Sequence, residues 1–356
     1  KDSSGALILR EEDQSMRLTF LYVANSDEGT VSKIDTQTGE EVARYVSALC
    51  HDDPYGRNRS GAPCSGNDPS RTAVDFNGDV WVANRAFNQQ GTVTKIANLE
   101  CPDLDGNGQI DTSRDANGDG RIDVGDPTEF MGEADECILF TVDVGGHNGV
   151  PRAVALDAGD IEGGRGNAWV GCYNENKLYK LSPDDGHVLL DVQVGLHPYG
   201  AAIDSNGILW ATQQNTGRIV SVDTNTNTAG EVIQLDGSCG GSYGIAVDME
   251  NRVWVGGYDW EGACRYDPAD GSTLAVPTPG VGVGRGIAAD ADGNIWLAHS
   301  WLSNNTKVGR VTRFRADDGS GLETFDFPDS LETIGVGLDF DGKVWGVNRA
   351  TDDCCR

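Results

Sequence analysis

The chain is short of positive charge. Its 356 residues carry 27 Lys and Arg against 56 Asp and Glu, a formal net charge of −29. Nucleic acid and anionic membrane both need clustered cations on the protein, so neither is expected as a partner. Long apolar runs are missing as well. No stretch approaches the ~20 residues of a membrane span, and the short apolar run ALIL at 6–9 is no signal peptide. A secreted form is therefore expected to have lost its leader already. No C-x-x-C pair occurs, which argues against a zinc ribbon or a thioredoxin-type centre. H-E-x-x-H and the P-loop are absent too.

What the chain has in plenty is glycine, 48 residues, and a repeat. TAVDFNGDVWVAN (72–84), GAAIDSNGILWAT (200–212), GIAVDMENRVWVG (244–256), GIAADADGNIWLA (286–298) and GVGLDFDGKVWGV (335–347) each place Trp six residues after Asp. A further copy separates Asp157 from Trp169 by a longer loop. Each copy reads as a β-hairpin with an N-G or D-G turn, and two more strand-like runs follow most copies. Four strands per unit, with successive Trp residues some forty apart, predict propeller blades. LYVANSDEGTVSKIDTQTGEEVARYV adds one more unit, with Tyr22 where the others have Trp. The expectation is an all-β, seven-bladed β-propeller, one domain over 1–356, with an insertion at 101–137 between two strands of the second blade. The last unit is cut short at NRATDDCCR, and ALILR at 6–10 is a candidate strand for closing the ring. The repeated Asp is read as a turn residue and the repeated Trp as inter-blade packing.

The LYVANSDEGTVSKID unit resembles the YVTN-type repeat of surface-layer propellers. The P-Y-G-A-A-I-D…L-W and G-I-A-A-D-A-D-G-N-I-W units resemble those of NHL and streptogramin (virginiamycin B) lyase propellers. That resemblance implies the fold strongly. Function it implies weakly, because such propellers include enzymes, sensors and scaffolds. In the lyases the place three after Trp often carries Glu; no unit here has Glu there.

The insert carries its own chemistry. DANGDGRIDVGD (115–126) puts Asp115, Asn117, Asp119, Asp123 and Asp126 at places 1, 3, 5, 9 and 12, Gly120 at 6 and Arg121 at 7. This resembles an EF-hand loop of the dockerin type: hard oxygens, a backbone carbonyl from place 7, and a glycine for the tight turn. DLDGNGQID (103–111) begins the same pattern with Asp103, Asp105, Asn107, Gln109 and Asp111, but its twelfth place is Arg114. Asp115 is expected to reach back and bridge two ions, as in thrombospondin-type-3-like arrays. One to two calcium ions are therefore expected, in a structural role, on the face opposite the channel mouth that binds ligands in propellers.

At that mouth, the place five before the repeat Asp holds Ser70, Arg152, Tyr199, Tyr243, Arg285 and Ile334. Gln213, Arg85, Trp260 and Trp301 come from the loops after the second strands. Such side chains recognise anionic, planar or polyhydroxylated ligands. His299 and His197 are the candidate bases for any catalysis there. Of nine cysteines, Cys50 with Cys64, Cys101 with Cys137 and Cys239 with Cys264 are the expected disulfides. Cys172 is the expected free thiol, and Cys354 and Cys355 form a vicinal pair or find separate partners. Loop disulfides favour a secreted or cell-surface protein. The expected function is non-catalytic binding of an extracellular glycan, peptide or protein neighbour, with homo- or hetero-assembly open to it. The alternatives are a streptogramin-lyase-like lyase or hydrolase at the mouth, and a purely structural subunit.

Overall fold

In the five hairpins that space Asp and Trp by six, the residue three after Asp adopts positive φ: Gly78 (84°), Gly207 (77°), Gly293 (78°), Gly342 (76°) and, in one copy, Asn251 (61°). Glycine takes this conformation freely, and asparagine is the next most tolerant residue, which explains D-x-x-G and D-M-E-N alike. The Asp side chain then serves two purposes. Its Oδ1 accepts amides of the turn, as from Asn77 and Asp79 to Asp75. Its Oδ2 accepts the indole N–H of the Trp, at 3.4 Å for Asp75–Trp81, 3.2 Å for Asp204–Trp210, 2.9 Å for Asp248–Trp254, 2.8 Å for Asp290–Trp296 and 2.9 Å for Asp339–Trp345. The copy with the longer loop keeps the bond, Asp157 to Trp169 at 3.0 Å. The spacing of six is thus the reach of one carboxylate across a hairpin. In two copies a third-strand lysine completes the unit: Lys95 lies 3.4 Å from Asp75 and Lys180 3.5 Å from Asp157, each also over the indole.

The computed structural model describes residues 19–49, 55–57, 68–158, 166–327, 330–349 and the backbone of 354–355. Their strands form seven antiparallel sheets in chain order. Sheet 1 contains Phe20–Asn25, Thr30–Asp35 and Glu41–Val46. Sheet 2 contains Asp68–Val74, Val80–Arg85, Gln90–Ile96 and Ile138–His147. Sheets 3 to 6 begin at Pro151, Gly200, Ile245 and Gly284. Sheet 7 is the hairpin Thr333–Leu338 and Val344–Asn348 with the two-residue strand Cys354–Cys355. The first strands of successive sheets abut one another around a common axis. The ring closes where Leu21 packs over Gly337, where Trp345 joins Val23 and Ile34, and where Lys343 Nζ donates to the Thr36 carbonyl at 3.0 Å. Between sheets lie apolar layers; Trp81, Val93, Val154 and Val170, for example, fuse sheets 2 and 3. Sequence spacing predicts seven blades. Six sheets hold three or more strands within 20–326, while the seventh is a hairpin with two residues of a third strand. Among the described residues the structure is thus a six-bladed propeller plus a hairpin, which corrects the expectation of seven blades: the last repeat unit lacks the outer strands that would complete a blade. ALILR at 6–10 lies outside them.

Sheet 1 has three strands, and its outer strand is covered by the insert that leaves sheet 2. The Glu41 amide donates to the Gly120 carbonyl at 3.0 Å, and the Ile122 amide to Glu41 Oε2 at 3.1 Å. Ile122 is buried and anchors the loop there. Cys101–Cys137 staples the base of the insert, and Cys239–Cys264 joins the end of sheet 4 to sheet 5. Cys172 is a buried free thiol. The expected Cys50–Cys64 pair lies outside the described residues.

Candidate functional site at the channel mouth

The inner strands enter the sheets through bulges. The ladder slips between Pro69 and Arg71, between Pro151 and Ala153, and between Gly284 and Ile287. A bulge leaves one residue out of the ladder and re-aims its side chain. Arg152 and Arg285 sit in two of these bulges. In the first, Ser70 takes the bulge and Arg71 follows it. Counting back five residues finds the bulged residue in both blades, Ser70 and Arg152, and so misses Arg71, which lies one place later.

Three guanidinium groups interleave with a row of aromatic rings. Arg152 lies 4.4 Å over Tyr199 and donates from Nη2 to its hydroxyl. Arg71 reaches Tyr199 at 5.2 Å and Tyr243 at 5.3 Å. Arg285 stands 5.1 Å from Tyr243, 4.7 Å from Tyr258 and 4.5 Å from Trp301, and it donates to the Tyr258 carbonyl at 2.6 Å. The rings themselves run Tyr173, Tyr199, Tyr243, Tyr258, at centroid separations of 6.1, 5.2 and 6.0 Å. Arg152, Arg285, Tyr199 and Tyr243 are buried, whereas Arg71, Arg85, Tyr173, Tyr258 and Trp301 are half-buried around them.

The electrostatics are one-sided. Among the described residues no carboxylate forms an ion pair with Arg71, Arg152 or Arg285, and Arg85 reaches Asp68 only at 4.0 Å. Burial, then the neighbouring Arg71 charge, holds Arg152 below the usual guanidinium range. Burial would raise the Tyr243 hydroxyl, but Arg71 and Arg152, a hydrogen bond from Tyr199, and Arg285 bring it down to about 8. Several buried donors here have no acceptor: Ser70 Oγ, Arg85 Nε, Arg152 Nε and Ser300 Oγ. Donors without acceptors are costly in a folded interior.

The other predicted residues brace the row or lie away from it. His299 is fully buried; its Nδ1 meets the Gly282 carbonyl at 2.8 Å and its Nε2 meets Thr312 Oγ1 at 2.9 Å. Burial depresses it to about 4. With both nitrogens occupied it presents no base to the mouth, which corrects that expectation. His197 stacks on Tyr173 at 4.9 Å and uses Nδ1 on the Tyr173 carbonyl at 2.6 Å, so it braces the aromatic row. Gln213 accepts weakly from Arg218 at 3.5 Å beside that row. Trp260 packs over Gly240 and Gly262 inside the cluster between sheets 4 and 5. One motif escaped the sequence reading: Gly240-Gly241-Ser242-Tyr243-Gly244 spells G-x-S-x-G. Ser242 is buried, its hydroxyl donates to the Gln213 carbonyl at 2.5 Å, and no helix follows it, so the spelling is structural here.

On the opposite face, the two insert loops have closely matched backbones. Asp103 accepts from Gly106, Asn107 and Gly108 as Asp115 accepts from Gly118, Asp119 and Gly120. Asp103, Asp105 and Glu136 bring one oxygen each within 4.8 Å of one another. Asp126 departs from expectation. Its carboxylate accepts the amide and hydroxyl of Thr128, at 2.8 and 2.7 Å, and so caps the next turn.

Comparison with solved structures places this architecture. A streptogramin B lyase aligns with a TM-score of 0.63 at 15% identity, over 92% of this chain and 87% of that one. The fold is a β-propeller. A Staphylococcus aureus virginiamycin B lyase, solved as a catalytically inactive form with quinupristin, aligns at TM-score 0.55 and 15% identity, over 81% and 83% of the two chains. The Pan2 WD40 domain of Neurospora crassa aligns at 0.59 and 10%, over 92% and 82%. At these identities the likeness is one of fold. No protein-family model matches the sequence, and no curated protein matches it either.

Proposed function

We propose that this propeller is an extracellular binding module whose channel mouth holds an acidic carbohydrate. The observation that carries the reading is the cluster of Arg71, Arg152 and Arg285 among tyrosines, without ion-paired carboxylates, in a chain of net charge −29. A carboxylate on the ligand would supply the acceptor that Ser70, Arg85 and Arg152 lack. The half-buried rings of Tyr173, Tyr258 and Trp301 offer faces for a sugar ring. Two disulfides support the extracellular setting. Titration calorimetry with oligogalacturonate and with the corresponding neutral galacto-oligosaccharide tests it. Binding of the acidic oligomer alone, weakened at least about tenfold in Arg71→Ala or Arg152→Ala, is expected. Equal affinity for both sugars, or none for either, overturns it.

A second reading keeps the lyase likeness and rests on Tyr243. Arg71, Arg152 and Arg285 favour the tyrosinate of Tyr243, which takes the proton α to a ligand carboxylate while the arginines hold the enolate charge; the β glycosidic C–O bond then breaks, the double bond forms, and the leaving oxygen takes the proton back from the Tyr243 hydroxyl. Growth of unsaturated product absorbance during incubation with oligogalacturonate, abolished in Tyr243→Phe, separates this reading from binding alone.

A further inference from the structure

We propose that the 101–137 insert binds two calcium ions, and that Glu129 and Glu136 close the two loops. Asp126 and Arg114, at the twelfth places, do not.

The argument starts from the ninth residue of each loop. The Asp111 amide donates to Glu136 Oε2 at 2.7 Å, and the Asp123 amide donates to Glu129 Oε2 at 3.0 Å. Two glutamates from different distances along the chain thus arrive at the same place in two loops of the same shape. In the first loop the other oxygen of Glu136 accepts the Leu104 and Asp105 amides, beside the carboxylates of Asp103 and Asp105. In the second loop the equivalent oxygen, Glu129 Oε1, has no partner, although Glu129 is only 1% exposed. The Glu129 carbonyl accepts the Arg114 amide at 2.9 Å, one residue before Asp115, while Glu129 Oε2 holds the Asp123 amide, so the carboxylate is placed between the first and ninth places of the second loop. A buried carboxylate oxygen without a donor, at the end of a loop of acidic and amide side chains, is the arrangement a cation resolves.

The oxygen set favours calcium. The second loop offers the side chains of Asp115, Asn117, Asp119 and Glu129 and the Arg121 carbonyl. The first offers those of Asp103, Asp105, Asn107 and Glu136 and the Gln109 carbonyl. All are hard oxygens, with neither sulfur nor imidazole, and a glutamate able to bind through both oxygens suits a large ion. The ions would also firm sheet 1, because Gly120 and Ile122 of the second loop hold its outer strand through Glu41.

Calcium titration calorimetry on the chelator-stripped full chain tests the assignment, with near-ultraviolet circular dichroism as the fold control. The wild type is expected to take up two ions. Glu129→Gln and Glu136→Gln are each expected to lose one, or to bind it at least about tenfold more weakly. Asp126→Asn is expected to keep both. If a Gln variant does not fold, Glu129→Asp keeps the charge, shortens the reach and must show the same weakening. No uptake at millimolar calcium overturns the proposal. So does an Asp126→Asn variant that loses an ion while Glu129→Gln retains two, and so does magnesium binding as tightly as calcium.

Discussion

The Asp–Trp bond can be measured directly in the Asp248–Trp254 hairpin. Trp254 is fully buried and Asp248 nearly so. Asp248 Oδ2 accepts the indole at 2.9 Å and Arg252 Nε at 2.7 Å, while Oδ1 accepts the Glu250 and Arg252 amides at 3.0 Å each. Trp254→Phe removes the indole N–H and part of the ring, at a cost of about 1–3 kcal/mol. Asp248→Asn can leave Oδ1 in place but turns an amide NH2 toward two donors, so it breaks a buried ion pair at about 3–5 kcal/mol. The double variant cannot lose the same bond twice. A hydrogen bond to a buried charge predicts a coupling of about 1.5–3 kcal/mol. Urea unfolding of the four proteins gives it, provided the denaturant slope stays constant. The same cycle at Asp290–Trp296, where the indole is half-buried, should give roughly 1 kcal/mol. A coupling below about 0.5 kcal/mol at Asp248–Trp254 would refute the reasoning. The Asp would then serve the turn alone, and the spacing of six would be a by-product of hairpin length.

Two further outcomes follow from the titrating groups. Tyrosinate absorbance should rise near pH 8 in the native protein, one residue's worth, and this step should move upward in Arg71→Ala and Arg152→Ala; a native protein with no tyrosinate below pH 9.5 contradicts the geometry. His299 is held neutral, its folded value about 4 against 6.5 unfolded, so the unfolded chain binds one more proton between these values. Stability is therefore present in full above pH 6.5 and falls as pH drops toward 4, by up to about 1.4 kcal/mol per pH unit. His299→Gln should flatten that part of the pH–stability curve, and an unchanged slope would show that His299 is protonated in place.

The repeat was legible because its cause is local. Asp, a residue tolerant of positive φ and Trp all lie within one hairpin, so their spacing is written in the sequence and fixes strands, turns and the propeller class. The Cys101–Cys137 and Cys239–Cys264 pairs were legible as well, since each closes one insert or joins adjacent sheets. The mouth was only partly so. Spacing named Arg152, Tyr199, Tyr243 and Arg285, but only the meeting of distant sheets brought Arg71 to the Tyr199 and Tyr243 rings. Burial kept His299 from the mouth, since the Gly282 carbonyl and the Thr312 hydroxyl, which spacing does not link to it, take its two nitrogens. In the insert, spacing laid down the early places of both loops. Glu129 and Glu136 come to the ninth amides from 6 and 25 residues farther on, positions set by the turns after each loop and by the closing disulfide. Local hydrogen bonding left its mark in the order of residues. What required distant segments to meet, the arginine cluster and the closing glutamates, was settled only when the chain folded.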